Sequence, residues 1–376
     1  MKMRLPGAAI ITMVLLASPV LAAPALQQLG DPGETEVIIY TGASKAVVRQ
    51  ETSVRLARRA NTVSFDWTSD SIDGSSIRLH GDPALTVGEL VRPTGNDRLL
   101  RWTVNAPSTG DYALTTSFLL SGLEWSADYQ LDWSPGSDTA RLAGWLSVAN
   151  ETGMDLSDLR ARLVLGSPGA GAEQQAAFDL RDLRELAADA SMRTAFFPPA
   201  EVSVRTIHRI DGEAAAERVQ RLLEVTPPAA GPLARTSLPA GPMTVVTPTD
   251  VPPASMRDAR LSYEPSETFE IDLGFDRDVV VERRLTERRK TALEFDRLGK
   301  VSGFDTVEAY HIELRNRTGE PIQIELVETV LKTWELRTDA EHEVEDGKAL
   351  MLLEVPADGQ SSVEFTLVKH SGTRIP

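Results

Sequence analysis

Ring-bearing and acidic side chains alternate without a break between Leu123 and Trp133. Leu123, Trp125, Ala127, Tyr129, Leu131 and Trp133 fall on one side of an extended chain, and Glu124, Ser126, Asp128, Gln130 and Asp132 fall on the other. Two chemistries are open to such a strand. Trp125, Tyr129 and Trp133, joined by Trp145 from the next strand, can make a platform on which sugar rings stack. Against this, Leu123, Ala127 and Leu131 share the aromatic face, and a strand with one apolar and one acidic side normally buries the apolar one. The acids Glu124, Asp128 and Asp132 recur at every fourth residue, about 13 Å apart by strand rise, too far for a glycosidase pair without help from a neighbouring strand. No Asp-x-Asp-x-Asp-Gly loop accompanies them to hold calcium, so a solvated face is the better reading.

The other reactive residue types are scattered. His80, His208, His311, His342 and His370 show no spacing that brings two to one zinc. His342 stands between Glu341 and Glu343, but on a strand those neighbours point away from it. There is no Gly-x-Ser-x-Gly elbow, no Ser-x-x-Lys and no glycine-rich phosphate loop. Neither a catalytic residue nor a metal or cofactor site is expected. Arg283, Arg284, Arg288, Arg289 and Lys290 make the one basic concentration, interleaved with Glu282 and Glu287. That interleaving favours a solvated strand face or an interdomain charge match over a polyanion site.

The elements that must position these residues are strands. Val37–Tyr40, Ala46–Leu56, Thr62–Trp67 and Ser75–Leu79 follow at short intervals, separated by turn residues such as Thr41-Gly42 and Asp73-Gly74. Arg141–Asn150 and Leu159–Leu165 continue the Leu123–Trp133 strand as an expected meander. Regular alternation returns at Glu267–Leu273, Val279–Leu285 and Val307–Leu314, and a hairpin turning at Asp346-Gly347 precedes the last strand. Between them, Glu173–Ala190 carries Leu183, Leu186, Ala187 and Ala190 at helical spacing and is expected as a surface helix. Pro227 to Pro253 includes eight prolines and is expected as an extended connection, with one edge strand near Met243–Val246.

One local string occurs twice. Leu146-Ser-Val-Ala-Asn150-Glu-Thr152-Gly153 returns as Ile312-Glu-Leu-Arg-Asn316-Arg-Thr318-Gly319, each an alternating strand entering an Asn-x-Thr-Gly turn. Asn150 and Asn316 suit the first turn position, and Gly153 and Gly319 suit a left-handed exit. Both asparagines also fit the glycosylation sequon, which turn chemistry already explains. The fold class expected is all-β: tandem immunoglobulin-like sandwiches with a Pro-rich irregular connection and one or two short helices. The divisions are a signal peptide at 1–22, an N-terminal β domain at 23–107, a central β domain at 108–280 that includes the Ala/Pro-rich 167–258, and a C-terminal sandwich at 281–376.

Composition sets the compartment. Met1-Lys2-Met3-Arg4, an apolar run from Leu5 to Ala17 and the small residues of Val20-Leu21-Ala22 read as an export signal cleaved after Ala22. The chain has no cysteine, which removes disulfides, thiol catalysis and a lipid-modified cysteine together. Its net charge of −16 comes from 55 acidic against 39 basic residues, and such a surface repels nucleic acid and anionic headgroups.

Ser121-Gly-Leu-Glu-Trp125-Ser-Ala-Asp-Tyr129, Gly144-Trp145 through Gly153, Leu163-Val-Leu-Gly166, Leu238-Pro-Ala-Gly241 and Val355-Pro-Ala-Asp-Gly359 resemble the signature of an exported bacterial family that includes the mucoidy inhibitor A-like proteins. The long coiled coil of some relatives is absent, since Pro107–Gly110 leads straight to Tyr112, and Ala170–Pro253 matches poorly. The resemblance implies a β-sandwich assembly without an established reaction. The expected function is therefore a non-catalytic periplasmic or envelope protein acting through protein contacts. Its alternatives are a module binding envelope polysaccharide through Trp125, Tyr129, Trp133 or Trp145, and a hydrolase whose site is assembled across strands.

Overall fold

The computed structural model describes residues 25–30, 32–41, 43–166, 177–180, 182–247, 255–259 and 267–375. The signal segment, the cleavage position after Ala22 and residues 167–176 of the expected connection lie outside the described residues. Twenty-four strands make up nearly all of the regular structure, and no α-helix occurs among the described residues. The first eight are β1 (Ala25–Gln28), β2 (Glu34–Tyr40), β3 (Lys45–Leu56), β4 (Arg59–Asp66), β5 (Arg78–Gly81), β6 (Thr86–Val91), β7 (Leu99–Ala106) and β8 (Gly110–Ser121). Then come β9 (Leu123–Trp133), β10 (Thr139–Asn150), β11 (Leu159–Val164), β12 (Ala177–Leu180), β13 (Ser191–Asp211), β14 (Gln220–Thr226), β15 (Gly241–Val246) and β16 (Ser255–Ala259). The last are β17 (Phe269–Phe275), β18 (Val279–Phe295), β19 (Val301–Asn316), β20 (Ile322–Thr329), β21 (Trp334–Thr338), β22 (His342–Glu345), β23 (Lys348–Val355) and β24 (Gln360–Gly372).

Alternating apolar residues put these strands into four sheets. A four-stranded sheet runs β1-β4-β7-β6 and a six-stranded sheet runs β12-β11-β2-β3-β8-β5. A ten-stranded sheet runs β16-β15-β9-β10-β13-β20-β23-β22, with β14 and β17 branching from β13, and a second four-stranded sheet runs β18-β19-β24-β21. Their inward side chains gather in two clusters. One contains Leu114, Leu120, Tyr129, Leu131, Leu146 and Leu163; the other contains Ile312, Leu314, Ile324, Leu326, Met351 and Phe365. Each such aliphatic or aromatic side chain contributes about 1.5–3 kcal/mol by leaving water.

Strand β13 serves both clusters. Residues Ser191–Ser203 pair with β10, and His208–Asp211 pair in parallel with Ile324–Val327 of β20. Arg209 fastens this joint. Its guanidinium takes both oxygens of Glu270 on β17 at 2.8 Å and Glu325 on β20 at 2.7 and 3.0 Å. Burial disfavours the charge, but the two carboxylates outweigh it and raise the Arg209 pKa.

Three expectations need correction. The Glu173–Ala190 helix does not form in its described part. Phe178 and Leu180 lie in β12, and Leu186 bridges Leu156 in extended conformation, so Leu183 and Leu186 reach the first core from a strand-like segment. The Ala/Pro-rich stretch 167–258 is more regular than its composition suggests, holding β13, β14 and β15, of which only β15 falls within Pro227–Pro253. Pro198 and Pro199 fit in β13 because Leu142 and Gly144 on β10 face Ala200 and Phe197, leaving one extra residue as a bulge where no ladder N–H is required. Met243–Val246 is a strand as expected, but it is flanked on both sides, by β9 and β16.

The third correction concerns the repeated turn. β10 lies in the ten-stranded sheet while β11 pairs with β2 in the six-stranded one, so the expected meander is a crossover between sheets. The second copy does the same from β19 to β20. Both asparagines are fully buried. Asn150 Nδ2 donates to the carbonyls of Met154, Leu186 and Ala187 at 2.8–3.0 Å, and its Oδ1 accepts from the N–H and hydroxyl of Thr152. Asn316 Nδ2 donates to Glu320 at 2.7 Å and Pro356 at 3.0 Å, and its Oδ1 accepts from Thr318 N–H and Oγ1. Gly153 has φ +70° as its role requires, whereas Gly319 stays out of the left-handed region.

Removing either amide strands buried carbonyls. Asn150→Ala and Asn316→Ala are each expected to cost about 2–3 kcal/mol, read as a lower urea midpoint. When the chain is secreted from a glycosylating host and folds, both sequons should remain unmodified by intact mass, because each amide nitrogen is engaged inside the fold.

Candidate interaction surface

The four aromatics singled out from the sequence do not form one platform. Trp125, Tyr129 and Trp133 are 8%, 2% and 6% exposed and belong to the first core. Tyr129 donates its hydroxyl to the Pro239 carbonyl at 2.7 Å, which pins the Leu238–Gly241 turn, and Trp133 Nε1 donates to Ser137 at 3.2 Å. Trp145 lies on the opposite face, half-buried and capped by the Arg193 guanidinium 4.1 Å from its ring centre. Arg193 is held there by Asp128, with Nε 3.1 Å from Oδ1. Glu124 and Asp132 are exposed on that same outer face.

The histidines stay apart too. His370 meets Asp305 at 2.8 Å and His311 meets Glu364 at 3.1 Å. His208 lies 3.2 Å from Asp276 but is poorly aligned for a hydrogen bond, and burial lowers its pKa. His342 is exposed, and its Nδ1 lies 2.9 Å from the Ala340 carbonyl oxygen. No three metal-binding side chains converge among the described residues.

Most of the basic cluster of β18 is exposed, and one member, Arg283, is largely buried in a brace to β20. Arg283, 11% exposed, forms a two-pronged pair with the 4%-exposed Glu328 of β20, and its guanidinium rests 4.4 Å over Tyr310. Arg288 reaches Glu308 at 3.2 Å, and Lys369 reaches the same carboxylate at 2.7 Å. Lys290 sits 4.0 Å over Phe304, Arg284 pairs with Glu282 and Arg289 with Glu287. Farther out, Asp305 accepts from Arg374 at 2.9 Å and from His370, while Glu294 accepts from Thr373. The C-terminal residues are thereby locked against the β18–β19 hairpin.

What this brace holds out is apolar. At the hairpin end Phe295 faces Val301 across the ladder, with Leu293 two residues earlier and Leu298 in the turn. They are 60%, 50%, 50% and 81% exposed, respectively. The turn itself is ordered, since Asp296 Oδ1 accepts from the N–H groups of Leu298 and Lys300 at 2.8 and 2.9 Å. Four large apolar side chains are therefore exposed at this end of the hairpin, beside the charged turn residues Asp296, Arg297 and Lys300, which makes it the candidate contact surface. Sequence reasoning passed over them because Val279–Leu285 and Thr291–Phe295 read as two separate ordinary strands, whereas the structure joins them in β18.

No family model and no curated protein matches this chain.

Glu328→Gln breaks a nearly buried pair and leaves Arg283 uncompensated, so unfolding free energy should fall by about 3 kcal/mol. Phe295→Glu and Leu298→Glu should leave it within about 0.5 kcal/mol. The Asp305 carboxyl is held below the usual range by Arg374 and then His370, and the Glu308 carboxyl, raised by burial, is brought below it by Lys369, Tyr310 and Arg288. A depressed folded-state pKa stabilises above the unfolded value and loses that contribution on acidification. The urea midpoint should therefore drop as pH falls below about 4, and less steeply in Asp305→Asn.

Proposed function

We propose that this chain is an exported, non-catalytic envelope protein that works by binding another protein through the tip of the β18–β19 hairpin. The observation that carries the reading is the apolar end formed by Leu293, Phe295, Leu298 and Val301, presented on a hairpin whose base is fixed by the Arg283–Glu328 pair. A braced tip loses little conformational freedom on docking, so its apolar area converts efficiently into affinity. The tip is the size of a hot-spot cluster and would fill a pocket on its partner.

Export and periplasmic residence rest on the leader-like first 22 residues and on the resemblance to the exported family of mucoidy inhibitor A-like proteins. No helix among the described residues is long and apolar enough to cross a membrane. The polysaccharide reading loses its residues, since three of the four rings are core and the fourth is capped. The hydrolase reading requires converging acids or histidines, and Glu270, Glu325, Glu328 and Glu308 are each paired with arginine or lysine.

A photo-crosslinking residue at position 298, in cells producing the full chain, tests the proposal. A discrete protein adduct in the envelope fraction is expected from position 298, absent from the exposed control position 90 and abolished by Phe295→Glu. No adduct, or the same adduct from both positions, would sink it, as would fractionation of the protein with the cytoplasm.

A further inference from the structure

The four-residue strand β12 is the outermost strand of the six-stranded sheet among the described residues and lies between two cavities, one lined by arginines and one walled largely by apolar side chains. Its alternation explains the division: Asp179 points outward, while Phe178 and Leu180 point between the sheets.

The outer cavity has a volume of about 440 Å³ and is lined by Arg160, Arg162 and Arg184 together with Glu36 and Asp179. Arg160 is paired with Glu34 at 2.6 Å, and Arg162 is loosely paired with Asp179 at 3.6 Å. The Arg184 side chain has no partner among the described residues. In so acidic a chain, this is a local surplus of guanidinium groups on a concave surface, and guanidinium is the side chain best matched to a carboxylate.

The inner cavity has a volume of about 350 Å³ and is walled by Leu146, Phe178, Leu183, Met192 and Phe196. Its aromatic wall is fixed by edge contacts: Phe178 lies 5.7 Å from Phe196 and 6.0 Å from Trp125. The Trp125 indole N–H is buried and has no hydrogen-bond partner. Asp179 and Leu180 line both cavities, so the two meet around the edge strand. Asp182, at the inner rim, is an exposed acid without a basic partner among the described residues, and it steers a negative head away from the inner mouth.

A pocket of this size with aromatic and aliphatic side chains on its wall, polar groups such as Thr194 and Asp182 among them, and guanidinium groups beyond its rim has the form of a small-molecule site. We propose that β12 carries a binding site for a single-chain amphipathic carboxylate, its hydrocarbon tail in the inner cavity and its head on the guanidinium groups of Arg162 and Arg184. The site is separate from the hairpin tip, and neither requires the other.

Titration of the full mature chain with sodium decanoate below its micelle concentration, followed by calorimetry and tryptophan emission, tests this. Saturable binding of one decanoate is expected, with the emission change lost in Trp125→Phe while the calorimetric binding remains. Acetate should not bind, and decyltrimethylammonium should bind at least tenfold more weakly. Reversing one exposed charge, Arg184→Glu, should weaken binding about fivefold, and Asp182→Asn should tighten it. Absence of decanoate binding, equal affinity for the cationic analogue, indifference to Arg184→Glu, or weakening by Asp182→Asn would each overturn the proposal. So would Arg184-dependent sedimentation with phosphatidylglycerol vesicles, which would assign the arginines to a lipid headgroup instead.

Discussion

A chain that leaves one sheet of a sandwich for the other must turn at the margin of the core, where its carbonyl groups have lost their ladder partners and cannot reach water. Stranded carbonyls there would cost as much as the crossover gains. The fold meets this constraint twice in the same way, with a buried asparagine amide. Asn150 closes the corner between β10 and β11, and Asn316 closes the corner between β19 and β20; each also binds a neighbouring loop, Leu186–Ala187 in one case and Pro356 in the other. Loop, corner and sheet become one unit through a single side chain. The layered arrangement, with its two apolar clusters, depends on those corners remaining closed.

The same logic of satisfying buried polarity runs through the C-terminal sandwich. Its apolar interior of Ile312, Leu314 and Phe365 gives way toward the hairpin end to Tyr310, Glu308 and Lys369. There Arg283, Arg288 and Lys369 are each answered by a carboxylate and Lys290 by an aromatic face, which ties the hairpin to β20 and β24. Ion pairs of this kind specify geometry more than they add stability. Here the geometry they specify is the outward position of an apolar tip.

How much of this was legible in the sequence follows from the range of each interaction. The Leu123–Trp133 strand announced itself because period-two alternation is local, and the burial of Trp125, Tyr129 and Trp133 follows from the company they keep. The repeated Asn-x-Thr-Gly string was visible too, yet its role was not, since Asn150 bonds carbonyls 36 and 37 residues away and the second sheet leaves no mark near the turn. Leu183 and Leu186 misled, because a spacing of three fits a helix and also fits an irregular segment dipping into a core. The length of β13 left no such local mark, since its Pro198 and Pro199 are admitted by a bulge that a regular ladder would not supply. The basic run of β18 showed its interleaved acids Glu282 and Glu287 in the sequence, but Glu328 and Glu308, which answer Arg283 and Arg288, come from separate strands.

Strand β13 is 21 residues long, on the order of 65–70 Å if fully extended, and one end belongs to each apolar cluster. Most multi-domain chains articulate at a linker, which lets a tethered partner swing. This one has a continuous ribbon where the linker would be, clasped by Arg209 to strands on both sides. The two apolar clusters are thus joined through paired strand, with β10 along one half of β13 and β20 along the other, rather than through an unpaired linker.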